Sequence, residues 1–295
     1  MSTTTPRLIV DHVSIAVREI DEALAFFQRH FPVVMGMAKQ PGYTPDFRWC
    51  DFYLGRFKLE LIESAAPDSF VDRFLAKRGA GFHHWSLYTD QLAPLLTRME
   101  ADGLRVVDKF DAGGGDVTAF LSPRSAYGVL VQFWQVGAAV MPAERPGVVS
   151  FPLRDGRAVR MGVDHVSIAV RDIEATLRFF ETYFPFRQRR APHPGWDGTF
   201  LVASFYLNDY KVELIQAAPG RASFVERFIE RRGEGLHHIS IDIDDLDAYV
   251  AQLEADGVRV VDRRALRDGI KTAFISPRSA FGTLIQLWQP PEFRT

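Results

Sequence analysis

Asp11-His12-Val13-Ser14-Ile15-Ala16-Val17-Arg18 is written twice in this chain, returning unchanged as Asp164-His165-Val166-Ser167-Ile168-Ala169-Val170-Arg171. Apolar residues alternate with His, Ser and Ala, the period of two that belongs to a β-strand. Val13, Ile15 and Val17 are expected on one face, and His12, Ser14 and Ala16 on the other, where small neighbours leave room beside the imidazole. A helical pattern follows at once in both copies, Ile20 to Phe31 and Ile173 to Phe184. The stretch reads as the opening strand of a repeated unit, with its histidine a candidate metal ligand.

The repeat runs far beyond that strand. Lys58-Leu59-Glu60-Leu61-Ile62 answers to Lys211-Val212-Glu213-Leu214-Ile215, Gly81-Phe82-His83-His84 to Gly235-Leu236-His237-His238, and Ser122-Pro123-Arg124-Ser125-Ala126 to Ser276-Pro277-Arg278-Ser279-Ala280. His12 and Glu60 stand 153 residues before their counterparts, and His84 and Gln132 stand 154 before theirs. A period this long is a duplicated domain and no short-repeat solenoid. Within each copy a finer repeat is expected, from Asp11 to Ile62 and again from His84 through a helix at Leu92 to Asp102, then strands Thr118–Leu121 and Val129–Trp134. The chain thus reads as four βαβββ modules, two per domain: residues 1–137, a Pro- and Gly-containing linker at 138–160, and residues 161–295. Gln40 to Phe47 and Ala191 to Phe200 read as loops that differ between the copies.

Composition narrows the function. Apolar residues make up 47% and charged residues 24%, as in a soluble globular protein with a full core. A net charge of -2 offers no basic excess for nucleic acid or a membrane surface. The single cysteine, Cys50, faces Ala203 in the second copy and reads as filler. Residues 1–7 have neither the basic nor the apolar region of a signal peptide, and no apolar run reaches spanning length, so a cytoplasmic location is expected.

The polar residues embedded in apolar strands carry the chemistry. On the His12 side, strand alternation adds Glu60, His84 and Gln132; the second copy supplies His165, Glu213, His238 and Gln286. Buried singly, a carboxylate and an amide are costly, and sharing a divalent cation offsets that cost. Two imidazoles and one carboxylate suit Fe, Mn, Co, Ni or Zn, one ion per functional domain. Of each His doublet the second member, followed by Ser86 or Ser240, fits the inward face. Lys58 and Lys211 share the face of the glutamates and read as catalytic or anion-binding candidates; Asp51 reads as a general base in the first copy, where the second has Ser204. Arg124 and Arg278 read as turn residues, and Gly113-Gly114-Gly115 as a flexible turn.

These motifs, with Ser-Pro-Arg-Ser-x-x-Gly-x-Leu-x-Gln, resemble the vicinal oxygen chelate superfamily, which includes glyoxalase I, extradiol dioxygenases and methylmalonyl-CoA epimerase. The likeness is strongest to the epimerases, each copy resembling one whole chain. It implies an α+β fold in which paired βαβββ modules form curved mixed-sheet half-barrels around a divalent metal. Carried over, the ligand positions are His12, Glu60, His84 and Gln132, then His165, Glu213, His238 and Gln286. The family usually ends in glutamate where this chain has Gln132 and Gln286. The resemblance implies a small substrate with vicinal oxygens and epimerase, isomerase or lyase chemistry, with Glu60 and Glu213 as catalytic carboxylates. An Fe(II) dioxygenase of the extradiol or hydroxyphenylpyruvate type is the runner-up, and a metal-free binding protein the reading from a different class. A homodimer is left open.

Overall fold

The computed structural model of the chain describes residues 7–113, 115–135 and 144–293. The first copy runs β1 (Leu8–Ala16), α1 (Ile20–His30), β2 (Val33–Met35), β3 (Gln40–Pro41), β4 (Phe47–Leu54), β5 (Phe57–Ser64), α2 (Phe70–Arg78), β6 (Gly81–Thr89), α3 (Leu92–Ala101), β7 (Val106–Gly113), β8 (Asp116–Leu121) and β9 (Val131–Gln135). The second runs β10 (Val149–Pro152), β11 (Ala158–Ala169), α4 (Ile173–Tyr183), β12 (Arg187–Pro194), β13 (Phe200–Leu207), β14 (Tyr210–Ala217), α5 (Phe224–Arg232), β15 (Gly235–Ile243), α6 (Leu246–Ala255), β16 (Val260–Ala265), β17 (Lys271–Ile275) and β18 (Leu284–Gln289).

Each copy builds one nine-stranded sheet. The first has the order β2-β4-β5-β1-β6-β9-β8-β7 with β3 on β4; the second has β12-β13-β14-β11-β15-β18-β17-β16 with β10 on β11. The sheets are mixed. β1 lies parallel to β5 and β6 parallel to β9, whereas β4 and β5, and β8 and β9, pair antiparallel. A parallel neighbour requires a crossover, and the amphipathic helix after each opening strand supplies it. In α1, Ile20, Ala23 and Phe27 share the buried face; acids fill its first turn and bases its last, as the helix dipole favours.

One hydrogen bond recurs in all four modules and locks helix to strand. A helix's first amide has no partner of its own. Here Ile20 donates to Glu63, Leu92 to Gln135, Ile173 to Gln216 and Leu246 to Gln289, always across 43 residues and at 2.7–2.9 Å. The acceptor closes the module's last strand, so this contact fixes the crossover against the sheet. The α+β fold of four βαβββ modules is thus pinned by the same contact in each module.

Two details differ from the sequence reading. Within Gln40 to Phe47, Gln40 and Pro41 pair with Trp49 and Arg48, and within Ala191 to Phe200 the strand β12 continues to Pro194. Prolines sit in these edge strands without blocking them, because an edge residue need donate on one side only. In the stretch read as a linker, Val149–Pro152 pairs antiparallel with Ala158–Met161. Gly114, and the linker residues 138–143, lie outside the described residues. Among the described residues no helix is long and apolar enough to cross a membrane.

The chain packs as two compact units, each drawing on both copies. One takes the described residues of Met1–His12, His84–Pro142 and Val166–Leu236; the other takes Val13–His83, Ala143–His165 and His237–Thr295. Within the first, Trp85 packs on Phe180 and Phe133 on Phe184. Within the second, Phe31 packs on Tyr249, whose hydroxyl donates to the His30 carbonyl at 2.5 Å.

His30 is buried with its Nδ1 3.6 Å from the Asp256 carboxylate. Burial outweighs the attraction of Asp256, and Arg29 and Arg154 add repulsion, so its pKa lies below the ordinary 6.5. The unfolded chain then takes up this proton first as pH falls, so the contribution to stability is present above pH 6.5 and fades below it. His30→Gln is expected to reduce the drop in melting temperature between pH 7.5 and 5.5; melting curves of both proteins at the two values check this.

Candidate metal centres

The middle strands of each sheet position the polar set. In the first sheet Ser14 lies opposite Glu60 on β5, and Ser86 on β6 opposite Gln132 on β9. His12 and His84 point at one another, Nε2 to Nε2, at 3.2 Å; His165 and His238 do so at 3.3 Å. Ligand atoms of His12, Glu60 and His84 all lie within 4.8 Å of one another, as do those of His165, Glu213 and His238. The histidines are buried and the glutamates half-buried.

Neighbours fix how these donors face. His12 Nδ1 is 2.6 Å from the Asp11 carboxylate and His165 Nδ1 is 2.7 Å from that of Asp164. An ionised carboxylate only accepts, so Nδ1 carries the hydrogen and Nε2 presents its lone pair. The Thr118 hydroxyl donates to the Phe133 carbonyl and therefore accepts from the Gln132 amide nitrogen, which leaves the amide oxygen outside this bond. In the second sheet Gln286 likewise donates to Thr272, and its Oε1 lies 3.1 Å from His238 Nε2. Ser167 donates to Glu213 at 3.2 Å, whereas the matching Ser14 hydroxyl is buried with no partner among the described residues.

This donor set fits a divalent cation. Two ligands about 2.1 Å from one ion at tetrahedral or octahedral angles stand about 3.0–3.4 Å apart, the separation of the paired Nε2 atoms. In each sheet two imidazoles and one carboxylate offer ligand atoms within 4.8 Å of one another, a group that could hold a metal ion. Asp11→Asn or Asp164→Asn is expected to lower cation affinity of its own site by about 10- to 100-fold, measured by competition with a metal-indicator dye.

The remaining sequence candidates have other partners or lie on turns. Asp51 is buried and lies across from Glu60, but its carboxylate is engaged by the Met37 amide at 2.7 Å and the Lys58 ammonium at 3.0 Å. Ser204 occupies the same place opposite Glu213, and Lys211 is paired with Tyr206. Arg124 and Arg278 are exposed on turns held by backbone bonds from Gly128 to Pro123 and from Gly282 to Pro277. Cys50 is buried, and burial, aided by the charges of Asp51 and Glu60, pushes its thiol up to about 12, consistent with inert filler.

The first members of the His doublets behave differently in the two copies. His83 packs against Phe70 and Phe74, and burial pushes its pKa down to about 4, so it is neutral. His237 Nδ1 instead lies 2.8 Å from His238 Nδ1, an outer contact to the second site. Alternation alone did not reveal it. Nor did it reveal Asp11, Asp164, Thr118 and Thr272, although an Asp before each opening His and a Thr 14 residues before each Gln were visible.

Two sheets of paired βαβββ modules each gather two histidines and a glutamate from their central strands, groups that could hold a metal ion. The sequence profile of the Glyoxalase/Bleomycin resistance protein/Dioxygenase superfamily matches residues 11–120 and 164–274, and the chain belongs to that superfamily. YqjC of Bacillus subtilis is 35% identical over 128 residues, 42% of this chain and 89% of the relative. Human mitochondrial methylmalonyl-CoA epimerase is 28% identical over 160 residues, 51% of this chain and 88% of the relative. A mutant 4-hydroxymandelate synthase from Streptomyces coelicolor shares the fold over 97% of this chain and 93% of its own, with TM-score 0.63 and 18% identity.

Proposed function

We propose that this chain is a divalent-metal-dependent enzyme that moves a proton on a small substrate with two neighbouring oxygens, as an epimerase or isomerase. The observation that carries this reading is the convergence, in both sheets, of two histidines and one glutamate within 4.8 Å. Relatives named methylmalonyl-CoA and ethylmalonyl-CoA epimerase support it. His12, Glu60, His84 and Gln132 would hold one cation and His165, Glu213, His238 and Gln286 another. When bound, the cation supplies Lewis-acid stabilisation of the charge that develops on a substrate oxygen.

The chain's own residues do the rest. Asp11 and Asp164 keep the opening imidazoles in the coordinating tautomer. A carboxylate oxygen of Glu60 or of Glu213 would take the proton from the carbon beside the substrate's two oxygens. Lys58 and Lys211, two residues earlier on the same strands, face the substrate side; Asp51 neutralises the first of them. Asp51 serves in this reading as an alternative proton acceptor in the first half. Its carboxylate accepts from the Met37 amide and pairs with the Lys58 ammonium.

Solvent deuterium exchange into acyl-CoAs and into α-hydroxy and α-keto acids, with metal-reconstituted protein, tests this. Exchange that disappears in the Glu60→Gln/Glu213→Gln double variant supports it; absence of exchange across the panel with Fe, Mn, Co, Ni and Zn overturns it. A second reading, a ferrous dioxygenase, draws on the two-histidine, one-carboxylate set with open positions. Oxygen consumption with catechols or α-keto acids would put that reading first.

A further inference from the structure

The substrate-facing side of the second sheet can be followed outward from its metal centre by strand register. Side chains of cross-strand partners share a face. Glu213 faces Ser204, and Ser204 faces Arg190; one row further on, Lys211 faces Tyr206, and Tyr206 faces Arg187. Arg187 and Arg190 therefore stand on the same side as Glu213. The residues between and beside them confirm the assignment. Arg189 points the other way, to Glu174 and Glu181 of α4, and Phe186 packs on Phe205, which itself packs on Phe180 of α4.

The two ends of this face differ. Phe200 and Val202 are packed with Val225 and Ile229 under α5, which closes one end. The other end carries Arg187 and Arg190, both exposed, and among the described residues neither guanidinium has a carboxylate partner. His193, paired with Val202 on the same face, has its Nε2 buried and unpartnered among the described residues.

The first sheet supplies an internal comparison. The positions matching Arg187 and Arg190 are Val34 and Met37, exposed at 55% and 48%. Its cations on this face are already engaged, Lys58 by Asp51 at 3.0 Å and Arg145 stacked 3.6 Å over the Tyr53 ring. The duplicated metal ligands are thus flanked by an apolar rim in one copy and an arginine pair in the other.

We propose that Arg187 and Arg190 form an anion subsite of the second centre, which takes a substrate bearing a phosphate or carboxylate remote from its chelating oxygens, and that the first centre lacks this subsite. The inference rests on the metal-enzyme reading only for what the subsite serves. Arg190 is two strand spacings from Glu213, about 10 Å, so the anionic group lies several bonds from the reacting carbon. Arginine suits the task because its planar fork pairs with both oxyanions in bidentate fashion.

Calorimetric titration of the full chain, stripped of metal and held at low ionic strength, with inorganic phosphate and separately with succinate tests the subsite. One anion per chain is expected, with affinity about tenfold weaker in Arg187→Gln/Arg190→Gln and unchanged in Val34→Gln/Met37→Gln. His165→Ala should keep the anion, and the arginine double variant should keep its cation, so failure of the metal reading and failure of the subsite are told apart. Which probe binds identifies phosphate or carboxylate as the natural group. Binding that survives the arginine double variant, or no binding of either probe at millimolar concentration, overturns the proposal.

Discussion

His165→Ala is expected to leave the protein with one bound divalent cation per chain where the unaltered chain is expected to hold two, and His12→Ala/His165→Ala with none. The imidazole supplies one of only two neutral nitrogen donors, and its Nε2 sits 3.3 Å from that of His238. Removing an outer partner of such a ligand already costs about 10- to 100-fold in affinity, so losing the ligand itself should exceed about 100-fold. Elemental analysis after dialysis reads the stoichiometry directly. Far-ultraviolet circular dichroism should be unchanged, because shortening a buried histidine leaves the strand ladder of β11 intact. Two cations retained in His165→Ala would remove the basis for the enzymatic reading of the second sheet.

The second large effect is structural. In Gly128→Ala the added methyl would stand 1.8 Å from the Glu234 carbonyl oxygen and 2.8 Å from the Gly235 amide nitrogen, at a backbone φ of +79°. Gly282 repeats the situation, 1.8 Å from the Ala80 oxygen. These are backbone atoms and cannot swing aside. A cost above about 3 kcal/mol is expected from the clash and the left-handed backbone together, a fall of about 6 °C or more in melting temperature. Gly103→Ala is the control. Its φ is +80°, but nothing lies within 4 Å of its added methyl, so it should cost about 1 kcal/mol. Similar melting temperatures for the two variants would mean that the Ser-Pro-Arg-Ser turn does not approach the His-His strand as closely as described.

Much of this was legible in the residues because duplication acts as an internal control. A histidine in one apolar strand says little; His12 and His165 in identical octapeptides, with Glu60 and Glu213 in matching strands, say much more. Period-two alternation also pointed to Gln132 and Gln286; the Gln286 amide oxygen lies 3.1 Å from His238 Nε2, and the Gln132 amide nitrogen donates to Thr118. What alternation cannot report is which atom of a side chain faces the centre. That depends on Asp11, Asp164, Thr118 and Thr272, which act through hydrogen bonds to neighbours. The edges of β3 and β12 were hidden for a different reason, since proline and glycine mark turns more often than edge strands. The basic rim was also present in the letters, but Arg187, Arg189 and Arg190 could be sorted to opposite faces only once the irregular register of β12 was known.

Because each compact unit borrows segments from both halves of the sequence, neither half owns a finished interior. Phe31 from the first finds its aromatic neighbour, Tyr249, in the second, and Trp85 finds Phe180. Polypeptides corresponding to the separate halves would each leave such apolar surface without its aromatic neighbour. Fusing them in one chain fixes that partnership at unit stoichiometry. It also frees each half to differ in the chemistry at its rim, where Val34 and Met37 stand in one and Arg187 and Arg190 in the other.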